Sequence, residues 1–224
     1  MKKHVLSSCL VALAWPALSH AQSSPFVIST GVKAFHAAWE TTPYDINGNL
    51  LQTETSDNAA LALTPYISLR YGDFVTNFAY TPETSYEFGG FKATKTETDF
   101  SAGYAFGASY FLLGYKTVDQ KWDSFTQNNA GLYLGYQVGG SISGAIGAYL
   151  NAAYSPAFAA KYPNGQSVDG TYLVGEIGLS YSLGPVVPNT KNLAFTVGAR
   201  YQTVDTDDYK DAFSGLTFGV NLSF

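Results

Sequence analysis

The sequence predicts an all-β fold: one antiparallel up-and-down transmembrane β-barrel of ten strands. Three observations carry this. Apolar and polar residues alternate with a period of two along most of the chain, short and long connections alternate, and no formal charge falls on the apolar face of any strand. Composition agrees. Charged residues are 13% of the 224, about half the ~25% of a soluble domain, whereas Tyr counts 17 and Phe 15. No stretch beyond the first 21 residues reaches the ~18–20 uninterrupted apolar residues of a membrane-spanning helix. A disordered chain, a basic nucleic-acid binder and a helical membrane protein are thereby excluded.

At the N-terminus, Lys2 and Lys3 precede an apolar core over 5–18, and Ser19, His20 and Ala21 place small residues where a signal peptidase reads. This predicts a cleaved secretory signal peptide over 1–21 and a barrel over 22–224. Cys9 has too little apolar sequence before it for a lipoprotein signal, and it is the only cysteine. The exported chain is expected to form no disulfide and no thiolate metal site, and to need no cofactor.

Strands are expected at 26–39, 59–71, 74–80, 98–106, 109–118, 129–139, 142–154, 170–182, 193–202 and 215–224. The last is the clearest: Leu216, Phe218, Val220, Leu222 and Phe224 alternate with Gly215, Thr217, Gly219, Asn221 and Ser223. Most have the ~9–11 residues of a tilted membrane-crossing strand. Because 74–80 is short, eight or twelve strands are the alternatives. Short connections fall at Gly72-Asp73, Gly107-Ala108 and Gly140-Ser141, with a longer one at 183–191. Long polar connections are expected at 40–58, 81–97, 119–128, 155–169 and 204–212.

The polar strand faces carry Lys33, Arg70, Asp99, Lys116, Glu176 and Arg200, which are expected to line the lumen. The remaining charges gather in the long connections, with acids in excess. Aromatics form two belts on the outer parity. Phe26, Tyr71, Phe74, Phe106, Phe111, Tyr181 and Phe224 lie near the short turns, and Tyr80, Phe100, Tyr115, Tyr154 and Tyr201 near the long connections. Side chains with an apolar body and a polar tip suit the two membrane interfaces.

The signal peptide, the alternating strands and the terminal Phe224 behind Phe218, Val220 and Leu222 together resemble Gram-negative outer-membrane β-barrel proteins. That resemblance implies residence in the bacterial outer membrane, contact with outer-membrane lipid and lipopolysaccharide, and a C-terminal signal read by the barrel assembly machinery. It implies no substrate and no oligomeric state.

Other motifs read as structural. His36 is the only histidine after residue 21, so a histidine-dependent enzyme would have to run through it. Its parity is opposite to that of Lys33, which turns it outward near the rim unless a bulge reverses it. Gly131, Gly135, Gly139, Gly140 and Gly144 have GxxxG spacing, but the residues between them alternate in polarity as in a strand. No P-loop follows them. Asp205, Asp207, Asp208 and Asp211 crowd one connection without the glycine and distal glutamate of a calcium loop, and are expected to be solvated.

Ten strands with small inward residues, plus Tyr66, Tyr133, Tyr149 and Tyr172, should leave some water-filled space. The expected function is a narrow passive channel for small solutes, not an enzyme. The alternative is a closed barrel acting through its extracellular loops as an adhesin, surface-binding or structural protein. The Gly107-Ala108 turn predicts that Asp99 faces Lys116, Phe100 faces Tyr115 and Tyr104 faces Phe111. Arg200 is expected to share Glu176, leaving Lys33 and Arg70 without acids. Two surplus lumenal cations would then give mild anion preference at high salt.

Overall fold

The computed structural model describes residues 26–123, 125–186 and 188–224, so the signal-peptide reading over 1–21 lies outside the described residues. The strands are β1 (Phe26–Pro43), β2 (Glu54–Thr55), β3 (Ala60–Tyr71), β4 (Phe74–Phe88), β5 (Phe91–Phe106), β6 (Ser109–Trp122) and β7 (Phe125–Ser143). They continue as β8 (Ile146–Ser155), β9 (Phe158–Lys161), β10 (Ser167–Val168), β11 (Gly170–Gly184), β12 (Asn192–Thr206) and β13 (Tyr209–Ser223). The short pieces extend walls: β2 and β3 both pair β1, β8 and β9 both pair β7, and β10 leads into β11. Ten antiparallel walls result, and β1 pairs β13 to close the barrel. This is the fold class and strand count that the sequence predicts.

Two-residue turns set the register at the short-loop end. Gly72 and Gly107 take φ of 58° and 62°, a left-handed backbone that suits glycine and matches the strand twist. In the second hairpin Asp99 stands opposite Lys116, Phe100 opposite Tyr115 and Tyr104 opposite Phe111, as the turn predicts.

The long connections are a correction. The segments expected as loops at 81–97, 119–128 and 204–212 are largely strand. β4 and β5 pair up to Phe88 and Phe91, β6 and β7 up to Trp122 and Phe125, and β12 and β13 up to Asp205 and Lys210. The strand expected at 74–80 is 15 residues long. The barrel therefore rises well above its upper aromatic belt, and its hydrophobic parity inverts there. On β13, Phe218, Val220 and Leu216 are exposed outward while Gly215, Thr217 and Gly219 face in. Above them Phe213 and Asp211 are buried inside and Ser214 is outside. On β4, Phe74, Phe78 and Tyr80 face out below, whereas higher up Tyr86 and Phe88 are buried and Ser85 and Glu87 are exposed. The lower part suits lipid outside and polar groups inside. The upper part is a water-facing wall around an interior of two apolar clusters and a buried polar network.

All twelve aromatics assigned to the two belts are exposed outward. Between the belts no Asp, Glu, Lys or Arg takes an outward position among the described residues. Such a charge would cost ~2–4 kcal/mol at mid-bilayer. Inside, tyrosines lie flat across glycines of neighbouring strands. A Cβ at Gly31 would sit 2.7 Å from the Tyr66 hydroxyl, one at Gly178 2.6 Å from that of Tyr149, and one at Gly114 inside the ring of Tyr133. The missing side chains let each hydroxyl cross the wall to a distant partner.

Candidate functional site

The interior is built in levels. At the short-turn end Arg70 closes on the wall, donating from Nε to the Gly72 carbonyl at 2.8 Å and from a terminal nitrogen to the Tyr110 hydroxyl at 3.0 Å. Halfway up, Lys33 holds both oxygens of Glu176 at 2.9 and 3.1 Å. Tyr149, having crossed Gly178, donates to the same carboxylate at 2.9 Å, and Thr217 at 3.3 Å. Lys33 keeps 26% of its side chain exposed and Glu176 only 4%, so water reaches this level from one side of the pair.

Above it stands a denser cluster around Glu97 on β5. Its carboxylate takes Lys95 and Lys116 at 2.7 Å each and the Gln202 amide at 2.8 Å, with Arg200 at 4.0 Å. Asp99 lies 3.6 Å from Lys116 and accepts from Tyr133 at 2.6 Å. Arg200 donates to Gln202 at 2.6 Å and rests over the Phe35 ring, while its Nε makes no hydrogen bond. Buried charges persist only when paired and hydrogen-bonded, and Glu97 meets that condition with three cations and an amide. A residual cavity of about 80 Å³ is lined by Thr64, Ala79, Thr81, Glu97, Asp99, Lys116 and Arg200.

The top is filled. Lys95 sits 3.5 Å from the Phe213 ring centroid, beneath an aromatic cluster centred on Trp39. Tyr86, Phe88, Trp122 and Phe213 lie 4.9–5.5 Å from the Trp39 ring, centroid to centroid, in edge or tilted contact. A second apolar cluster joins Val118, Phe158, Tyr172 and Val204. Between them runs a polar network. Gln120 donates to Asp211 at 2.7 Å, Gln127 to Gln120 at 2.8 Å, and Asn129 to Gln120 at 3.0 Å. Tyr209 donates to Asn129 at 2.8 Å and also meets Gln127. Together these groups form a plug across the end of the barrel opposite the short turns.

The six charged residues expected on the polar faces do point inward, but their grouping differs from the expected one. Lys33 has an acid, Glu176, reached across the bore from a strand that is not its neighbour. Arg200 stands opposite Glu176 in register yet lies in the Glu97 cluster. Lys95, Glu97 and Asp211, all assigned to loops by sequence, are interior. With them the inward face carries Lys33, Arg70, Lys95, Lys116 and Arg200 against Glu97, Asp99, Glu176 and Asp211. The expected two-cation surplus is not present. His36 faces outward beside Leu61 and Leu216, as its parity predicts.

The acidic connection is also dispersed. Asp205 accepts from Tyr44 at 2.9 Å and Asp208 from Tyr162 at 3.0 Å, while Asp211 turns inside. Burial, reinforced by Asp205, pushes the Tyr44 phenol up to about 12, so it stays a donor. An open cleft of about 490 Å³ at this end is lined by Tyr44, Gly48, Pro156, Asp169, Gly170, Thr171, Asp205, Thr206 and Asp207. Ile46, Leu50 and Leu51 stand exposed on the adjoining loop. Phe218, Val220 and Phe224 face outward at the end of the last strand.

No protein-family model matches the chain, and no curated protein resembles it in sequence. Solved structures do. The outer-membrane protease OmpT of Escherichia coli superimposes with a TM-score of 0.54 at 10% identity, covering 91% of this chain and 99% of that one. An anion-selective porin from Comamonas acidovorans gives a TM-score of 0.30 at 14% identity, over 75% of this chain and 51% of that one. A Pseudomonas aeruginosa FadL homologue gives 0.30 at 8%, over 89% and 90%. By fold, the chain is a ten-stranded β-barrel of the outer-membrane type.

Proposed function

We propose that the protein is an outer-membrane barrel, closed at its extracellular end, that acts through the surface it raises above the membrane as a surface-binding, adhesive or structural protein. The observation that carries this reading is the plug. A passive channel needs a continuous wet path, and here the Trp39 aromatic cluster and the Glu97 ion cluster stand across it. Above the plug, the open cleft and the exposed Ile46, Leu50 and Leu51 offer contact surface. The reading assigns no catalytic residue, since His36 points outward among Leu61 and Leu216. Lipid and lipopolysaccharide are the partners of the outward apolar band, and Phe218, Val220, Leu222 and Phe224 form the segment that the barrel assembly machinery would read. The test is osmotic swelling of vesicles containing the purified protein. Swelling in small sugars no faster than in protein-free vesicles supports the closed barrel. Swelling at a rate that falls with sugar size would restore the narrow channel.

A further inference from the structure

One carboxylate in the plug lacks a counter-ion. Asp211 is 2% exposed. Its Oδ2 accepts from Gln120 at 2.7 Å, but its Oδ1 closes no hydrogen bond. The indole N–H of Trp39, which faces it from β1, closes none either. Thr41 also faces it from β1. From β5 the field of Lys95 reaches it, but that ammonium is bound to Glu97 at 2.7 Å. Tyr209 on its own strand and Tyr162 on the turn after β9 complete the titratable surroundings. Burial and nearby carboxylates push both phenols up, so they remain neutral. An ionised carboxylate in such a place is poorly solvated and poorly paired, and its neutral form is favoured.

We propose that Asp211 is a proton-operated latch on the extracellular plug: protonated, it packs as a neutral hydrogen-bonding group beside Trp39, and ionised, it leaves an uncompensated charge there that loosens the plug. Burial lifts its pKa from 3.8 to about 6, with the donors around it opposing the rise. A carboxyl raised in this way binds its proton more tightly in the folded protein than in the unfolded chain. Its stabilising contribution is complete below about 3.8, shrinks as pH rises, and is gone once pH passes about 6. The plug is thus tightest in acid and loosest at neutral pH. The latch concerns only how the plug is held, so it stands or falls independently of the proposed surface role.

Trp39 and Trp122 are the tryptophans of the described residues, and both belong to the plug, so tryptophan emission excited beyond the tyrosine band reports on this region. The experiment is a pH titration of the emission of the protein purified in detergent, with heat-modifiable gel migration confirming that each variant is folded. The wild type should show a one-proton transition with a midpoint about 6, shifting to the red as pH rises. Asp211→Asn should abolish it and hold the emission at its acid position. Gln120→Leu, which removes the donor at 2.7 Å from Oδ2, should move the midpoint upward. Either variant alone decides the matter if the other does not fold. The latch is overturned by a flat wild-type titration, by a transition that survives in Asp211→Asn, or by an unmoved midpoint in Gln120→Leu.

Discussion

Replacing Glu97 by Gln removes the anion on which the upper interior is organised. Two ammonium groups lie 2.7 Å from it and a guanidinium 4.0 Å away, and all three belong to side chains at least 84% out of solvent. Breaking a buried ion pair by removing one partner costs ~3–5 kcal/mol, because the other charge is left uncompensated. Lys116 would keep Asp99 at 3.6 Å, whereas Lys95 would keep only the Phe213 ring. The expected loss is therefore ~4 kcal/mol, carried chiefly by Lys95. Lys95→Met in the same chain should return ~1.5–3 kcal/mol of it, a coupling of the size found between neighbours in one network. Lys33→Met is the control. Its partner Glu176 retains Tyr149 and Thr217, and its own side chain is 26% exposed, so ~1–2 kcal/mol is expected there. Reversible denaturant unfolding in detergent micelles measures all four proteins. A Glu97→Gln variant within ~0.5 kcal/mol of wild type, or a double variant no more stable than the single, would show that Glu97 does not hold the upper interior together.

Three further outcomes are expected. Gly114→Ala should destabilise by ~1–3 kcal/mol in the same unfolding assay, because its methyl group would displace the Tyr133 ring and break the 2.6 Å bond to Asp99; Tyr133→Ala should suppress the difference between Gly and Ala. Trp39→Ala should cost ~3–5 kcal/mol, since its ring touches four others, while circular dichroism stays that of a barrel. Deleting Phe224 should lower the amount of protein in outer membranes several-fold without preventing the purified chain from refolding in detergent, as counted by heat-modifiable migration.

Within the membrane band the fold was legible because lipid imposes one rule on every strand. Apolar residues face out, so period two, the belts and the parity of His36 could all be read from residue order. The two-residue turn at Gly107 fixed the Asp99–Lys116 register for the same reason: the hydrogen-bond ladder leaves no freedom once the turn is set. Above the membrane the rule reverses, and the segment 92–99 shows why it misled. Lys95, Glu97 and Asp99 face in and Thr96 and Thr98 take the outward positions between them, so both faces are polar and hydrophobic alternation vanishes although the strand continues. On β4 the large apolar residues keep the same parity from Phe74 to Phe88, but a register shift between Thr81 and Thr84 turns Tyr86 and Phe88 inward, so the sequence shows no break where the faces exchange. The Lys33–Glu176 pair was hidden for another reason. Its strands β1 and β11 are separated by β12 and β13, and contacts across a bore leave no trace in neighbour register.

Single-channel recording shows whether the extracellular plug shuts the barrel. Purified protein inserted into planar bilayers in molar salt should give no unitary currents, while the Trp39→Ala, Phe213→Ala double variant, which empties the middle of the aromatic cluster, should give brief ones. Stable unitary currents from the wild type, unchanged in that variant, would contradict the account.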